Sequence, residues 1–317
     1  MGVRIEGYRP EYFAGVISCL QRNFEWMRKA DAKEIERWIQ PSISFRWRED
    51  VSSKQYPYKY GMVLLSDKVV VGFLGCIYSK RYVSGIPYIY LTGTNWCIDK
   101  EYRMYLIPIL KKLYVTADVI GDFTPRKSVE EILTHIFKFQ YVNTEKIRFT
   151  PIPFLDSHSI SIYMVSPDEI SDMTLSMEYK DNTYYGVKCV KFQSESEIGF
   201  VFYKVMNFNG KWIQIVKMVN GELFAKNAHE IVWCLQKLEC YESDDNPIDD
   251  FCEIVRRVRK NEWVNLECEK SFLGEAEIRH PMFDSVPVVR LMLNKKKNEI
   301  TPSMDFLYSE MVMLDLR

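Results

Sequence analysis

The stretch CIDKEYRMYLIPILKKLY, residues 97–114, decides how the chain is read. It opens as the end of a strand and turns into a helix whose apolar face is Leu106, Ile109, Leu110 and Leu113. A strand end feeding a helix start is where backbone N–H groups and the helix dipole collect anions. Such a turn is usually rich in glycine, which lets a phosphate approach the backbone. Here the turn carries no glycine.

Working outward, VRIEGY near the N-terminus alternates as a strand, and Phe13, Val16, Ile17, Leu20 and Phe24 recur at helical spacing behind it. A short helix is expected over DAKEIERWI with Asp31 as N-cap. Ser66-Asp67-Lys68 separates two apolar runs as a hairpin. PYIYLTGTNWCID is a further strand with Gly93 near its middle, and Gly93-Thr94-Asn95-Trp96 is the natural place for a bulge. After the helix come a short strand, DVIGDF, and a helix over SVEEILTHIFKF with Ser128 and Glu131 as a capping box. NTEKIRFTPIPF closes this half as a strand, giving the order β-α-α-β-β-β-α-β-α-β. That is a mixed α/β layer plan rather than an alternating parallel one.

Beyond Phe154 the chain turns polar, then strands return: TYYGVKCVKF, IGFVFYKVM and KWIQIVKMV. A helix follows over AKNAHEIVWCLQKLEC, then another over DDFCEIVRRVRK, and strands over EWVNLECEK and PVVRLMLNKKK. Three strands, a helix and a strand thus occur in both halves, an internal repeat in element order with a period of ~120 residues. Two domains are expected, residues 1–155 and 156–317.

Composition narrows the function. Lys and Arg (42) nearly balance Asp and Glu (43), so no basic surface for nucleic acid is expected. The basic run Lys295-Lys296-Lys297 is expected at a solvated hairpin tip. No apolar run approaches the ~20 residues of a membrane helix, and the N-terminus lacks an apolar signal core. The expected location is cytoplasmic. The eight cysteines form no C-x-x-C pair and the four histidines no ligand spacing, so reduced, mostly buried thiols and no metal are expected.

The fold class read from these elements is mixed α+β, and the first half resembles a GNAT-type acyl-CoA N-acyltransferase domain over about residues 3 to 155. Two local patterns carry the resemblance. In NWCIDKEYR, residues 95–103, Ile98, Asp99, Glu101, Tyr102 and Arg103 match the family's text at the end of its fourth strand, with Lys100 where proline is common. In THIFKFQYV, residues 134–142, Phe139 matches a Gly-Phe pair, Lys138 replaces the glycine, and Thr134 stands about where the family's acid tyrosine lies. The resemblance implies a central twisted sheet flanked by helices, and the element repeat implies two GNAT-like units, the second degenerate.

The resemblance further implies acetyl-CoA or another acyl-CoA as co-substrate. It places the cofactor along Trp96, Cys97, Ile98, Arg103, Met104, Tyr105, Leu106 and Ile107. Amine acylation needs a base for the nucleophile and an acid for the leaving thiolate. No catalytic residue is fixed by the sequence, and Tyr105 and His135 are the candidates. For the acceptor, Tyr90, Thr92 and Thr94 share a strand face with Tyr88 and Trp96, while Trp26, Arg46 and Trp47 fall where the family builds its acceptor pocket. Core packing is the ordinary alternative for each aromatic. The expected function is N-acylation of a small-molecule amine such as an amino sugar or sugar nucleotide. Two alternatives stay open: a catalytically silent GNAT-like binding or scaffold protein, and a Fem-like aminoacyl transferase, which the near-neutral charge disfavours.

Overall fold

The computed structural model describes residues 2–44, 58–150, 152, 160–207, 211–241, 264–296, 305–307 and 309. The chain divides into two compact units. Unit 1 holds residues 1–141, 290–304 and 308–317, and unit 2 holds 142–289 and 305–307.

Unit 1 begins with β1 (Val3–Gly7), α1 (Phe13–Asn23), α2 (Ala32–Ile43), β2 (Gly61–Ser66), β3 (Val69–Val83) and β4 (Ile86–Ile98). It continues with α3 (Leu106–Tyr114), β5 (Val119–Asp122) and α4 (Lys127–His135). β1 through β4 pair antiparallel in sequence order, and β4 pairs parallel with β5. The β2–β3 hairpin turns on Asp67 and Lys68, both at positive φ, the mirror-image turn that matches strand twist. Asp31 caps α2 as expected: its carboxylate accepts from the Glu34 N–H and the Glu34 side chain accepts from the Asp31 N–H. α4 departs from expectation. Its N-cap is Arg126, with no side-chain cap, so Ser128 lies inside the helix rather than before it.

The α1 and α2 faces meet the sheet in a core of Val16, Ile17, Leu20, Ile35, Ile39 and Phe73, all buried. The end of α1 is fixed by charge. Arg22 and Asn23 donate to the Asp99 carboxylate at 2.8 and 2.7 Å, and Arg22 also donates to the Val70 carbonyl. Asp99 is therefore an anchor for α1 at the mouth of β4.

Unit 2 repeats the plan. Its elements are β6 (Gln140–Phe149), β7 (Ser161–Met164), α5 (Met173–Thr183), β8 (Val187–Gln193), β9 (Ile198–Asn207) and β10 (Lys211–Val219). α6 (Gly221–Lys226), α7 (Ala228–Tyr241), β11 (Asn265–Glu269) and β12 (Phe283–Asn294) follow. β7 through β10 pair antiparallel in order, and β10 pairs parallel with β11, as β4 does with β5. α6 and α7 close the core with Leu223, Phe224, Ile231, Val232 and Leu235. The helix expected over DDFCEIVRRVRK lies outside the described residues.

The sixth strand of each unit comes from the other half of the sequence. β6 pairs antiparallel with β11 in unit 2, and the end of β12 pairs antiparallel with β5 in unit 1. The chain accordingly divides at Tyr141/Val142 and Val289/Arg290, which differs from a cut at residue 155. Charge fixes the register of the exchanged β6: Lys146 and Arg148 both reach the fully buried Glu267 of β11, at 2.9 and 3.1 Å. A buried carboxylate demands such partners, and a slip of one residue would turn them to the other face.

Lys295 is exposed, yet it is engaged at the end of α3. Its backbone N–H donates to Asp118, and its ammonium donates to the carbonyls of Tyr114 and Ala117 at the end of α3. A cation at a helix C-terminus satisfies orphan carbonyls and the dipole together.

Candidate functional site

The site is built where β4 leaves β5. Their parallel pairing runs through Tyr90–Val119, Leu91–Ile120 and Thr92–Gly121 and stops there, while β4 continues to Ile98. Past that point β4 carries the expected bulge. Gly75 faces Thr94 and Phe73 faces Cys97, so Leu74 alone opposes both Asn95 and Trp96. Asn95 takes the left-handed conformation, φ 53°. A bulge there bends the strand and frees backbone groups from the ladder.

Trp96 is set by that kink. Its indole N–H donates to the Gly75 carbonyl at 2.9 Å, and its ring lies over Gly93, where an added Cβ would stand 2.4 Å from the ring. Glycine at 93 is therefore needed for the ring to lie flat against the strand.

Two clefts open beside this kinked segment, both within unit 1. The first, about 230 Å³, runs along Leu74, Trp96, Cys97, Ile98, Leu106 and Ile132, with Arg103 and Arg126 among its walls. The second, about 280 Å³, lies against Gly93, Thr94, Asn95 and Trp96, with Trp26 and Trp38 across from them and Asp122, Thr124 and Arg126 on its walls. Phe24, Trp96, Arg126 and Val129 border both. Trp26 and Trp38 meet edge to face with centroids 4.8 Å apart, and the Arg126 guanidinium stacks on Phe24 at 4.5 Å.

The structure distributes the sequence candidates unevenly. Trp96, Cys97, Ile98, Arg103 and Leu106 line the first cleft. Leu106 lines it as half-buried apolar wall and does not close it. Met104, Tyr105 and Ile107 line neither: residues 100–105 form a 3-10 turn, and Met104 points to solvent at 74% exposure. Trp26 and Thr94 line the second cleft, whereas Tyr90 and Thr92 are core residues, Tyr90 under the Arg81 guanidinium. Arg46 and Trp47 lie outside the described residues. His135 is exposed, its Nδ1 bonded to the Glu131 carbonyl, and borders neither cleft. Thr134 donates its hydroxyl to the Glu130 carbonyl one turn back and lines neither cleft.

Cys97 lies 3.5 Å, sulfur to sulfur, from Cys19. The Cys19 contact and burial both push the Cys97 thiol well above its usual range, so it is held as a thiol and is no nucleophile at neutral pH. Among the described residues, no three His, Cys, Asp or Glu side chains are grouped to hold a metal, and no helix is long and apolar enough to cross a membrane.

Two residues that the sequence did not single out line the clefts. Arg126 borders both clefts. Asp122, at the end of β5, is buried in the wall of the second cleft, and burial pushes its carboxyl up to about 7. It accepts one hydrogen bond, from the Thr124 N–H at 3.3 Å. The only signal in the sequence is weak: VIGD is an apolar strand ending in an acid beside a loop, where binding residues are commoner than in the core.

No protein-family model matches the chain, and no curated protein matches it in sequence. Solved structures match it in fold. A GCN5-related N-acetyltransferase from Anabaena variabilis ATCC 29413 superimposes with a TM-score of 0.54 at 8% identity, over 93% of this chain and 73% of that one. A conserved protein of unknown function from Enterococcus faecalis V583, named "Probable N-Acyltransferase", gives 0.51 at 11% identity, over 92% and 72%. The chain has the fold of the GCN5-related N-acetyltransferases.

Proposed function

We propose that the protein is an acyl-CoA-dependent N-acyltransferase whose reaction takes place in unit 1. The observation that carries this reading is the pair of clefts beside one kinked strand segment, which share Phe24, Trp96, Arg126 and Val129 as lining. A two-substrate transfer needs that arrangement, because the thioester and the amine must meet within bonding reach.

The first cleft suits the acyl-CoA. Its Leu74, Ile98, Leu106 and Ile132 walls are apolar, as a pantetheine arm requires, and β4 past Thr92 has left its β5 partner, so an extended amide chain can add there like a strand. Arg103 and Arg126 bring two guanidinium groups to its walls, which suits phosphate oxygens. Pro108 removes one N–H from the first turn of α3, so these arginines take over charge that a glycine-rich helix start would supply. The bulged backbone at Asn95 and Trp96 offers the N–H donor that a thioester oxygen needs as it gains charge. The second cleft then receives a small amine.

Calorimetric titration with acetyl-CoA and CoA tests the reading. Micromolar binding is expected, weakened about tenfold in Arg103→Ala, in keeping with loss of one hydrogen bond to a charged group. Absence of heat at millimolar ligand overturns it.

A further inference from the structure

The chemistry of the acceptor can be read from the second cleft, and this step rests on the acyltransferase reading above. At about 280 Å³ the cleft is at the small end of small-molecule pockets, a size that suits a compact ligand. Its aromatic walls are Phe24, Trp26, Trp38 and Trp96. Three of them are indoles, Trp26 half exposed, and indole faces are the best aromatic partners for a cation.

Two polar groups in that wall are under-used. Thr94 is buried, and among the described residues its hydroxyl has no hydrogen-bond partner. A buried hydroxyl left so costs free energy unless a ligand completes it. Asp122 is likewise buried, and the one hydrogen bond it accepts leaves most of its acceptor capacity unspent.

We propose that this cleft takes a compact organic ammonium ion, seated on the Asp122 carboxylate and the Thr94 hydroxyl among the indoles of Trp26, Trp38 and Trp96, and that Asp122 is the base that takes its proton. The ammonium gives one proton to Asp122. The neutral amine nitrogen then attacks the thioester carbonyl carbon, a C–N bond forms, and the C–S bond breaks. The remaining excess proton on nitrogen passes to the departing thiolate, giving amide and free CoA thiol. Asp122 returns its proton to water.

The charged and titratable groups around Asp122 are compatible with this cycle. Arg290, on β12, favours the carboxylate; Tyr114, on α3, is a neutral phenol kept so by burial and by Asp122; Arg126 stands at the cleft edge over Phe24. Burial outweighs Arg290, so the carboxyl titrates near neutrality, where it can both accept and release a proton. The amide of Asn at 122 would keep the size but lose the base.

The experiment is a tryptophan-fluorescence titration with phenethylamine as the cation and glucosamine 6-phosphate as an anionic contrast, beside calorimetry with acetyl-CoA. Phenethylamine is expected to bind, tenfold or more weakly in Asp122→Asn and about fivefold more weakly in Trp26→Ala, with acetyl-CoA affinity unchanged in both. Its affinity should fall about tenfold per pH unit below 7 in the parent and stay flat in Asp122→Asn, a dependence that a packing role would not give. Acetyl-CoA binding without phenethylamine binding, equal binding by Asp122→Asn, or tighter binding of glucosamine 6-phosphate overturns this inference and leaves the acyltransferase reading standing. Failure of acetyl-CoA to bind the parent overturns both.

Discussion

The two units share a strand plan and differ in what becomes of the place where the fourth strand leaves the fifth. In unit 1, β4 parts from β5 after Thr92, bulges at Asn95 and Trp96, and borders two clefts. In unit 2, β10 parts from β11 after Gln214 and bulges at Val216. There the chain fills its own site. Phe306 donates its backbone N–H to the Val216 carbonyl at 2.7 Å, Asp305 pairs with Lys217, and Phe306 and Leu307 are fully buried. A backbone hydrogen bond to a bulged strand is what an added strand or a pantetheine arm would make. The helix start of unit 2 is closed too: a Cβ on Gly221 would stand 1.9 Å from the Phe272 carbonyl oxygen. One fold therefore serves as an open site in one unit and as packing in the other, and the difference lies in which segment lies on the bulge.

That comparison can be broken at several points. The largest effect is expected from Phe306→Ala, which empties the filled site. Removing a fully buried phenyl costs about 3–5 kcal/mol, read as a lowered urea midpoint at unchanged slope; a variant as stable as the parent would show that the segment does not support unit 2. Next is Asp122→Asn. The carboxyl is raised from 3.8 to about 7 by burial, so the protonated form is the one the fold favours. Its contribution is fully present below the unfolded value and is lost as pH rises through 7. At pH 8 the amide should be more stable than the parent by up to about 4 kcal/mol, and the gain should shrink toward pH 4. A pH-independent difference would refute the buried-carboxyl assignment.

Gly93→Ala sharpens the comparison from the open side. The new methyl meets the Trp96 ring, which its hydrogen bond to Gly75 holds in place. Overpacking of this kind costs about 1–3 kcal/mol; acetyl-CoA affinity should fall with it, and retained affinity would mean that Trp96 is not the common wall. The smallest effect belongs to Lys138, which sits at φ 61° just before the buried Phe139, where the resemblance has glycine. Lys138→Gly relieves left-handed strain of about 1–2 kcal/mol but gives back part of it as unfolded-chain entropy. A rise in melting temperature of a degree or two is expected.

Much of this was legible in the sequence because it is local. Element order in the first half and from β8 to β11 in the second, the Asp31 cap, the Asp67-Lys68 turn and the bulge after Gly93 follow from periodicity and turn chemistry within a dozen residues, whereas the short strand β7 sits in a polar stretch that reads as a connection. So does the position of Lys138, where the side chain differs from the resemblance but the backbone conformation is kept. The misses are long-range. His135 and Tyr105 looked chemical by their place along the chain, yet neither lines either cleft. Asp122 was passed over because its burial, and hence its basicity, depends on packing that no neighbour in sequence reveals.

The sequence by itself determined that this is a doubled mixed α/β chain with a strand-to-helix turn lacking glycines. Periodicity and capping are properties of short windows, and they suffice for that. Only the tertiary structure decided that β6 and β12 exchange units, that Leu106 lines a cleft instead of closing one, and that Asp305–Leu307 occupies the bulge of β10. Each of these is a choice among partners far apart in sequence, settled by register, buried charge and volume rather than by local preference.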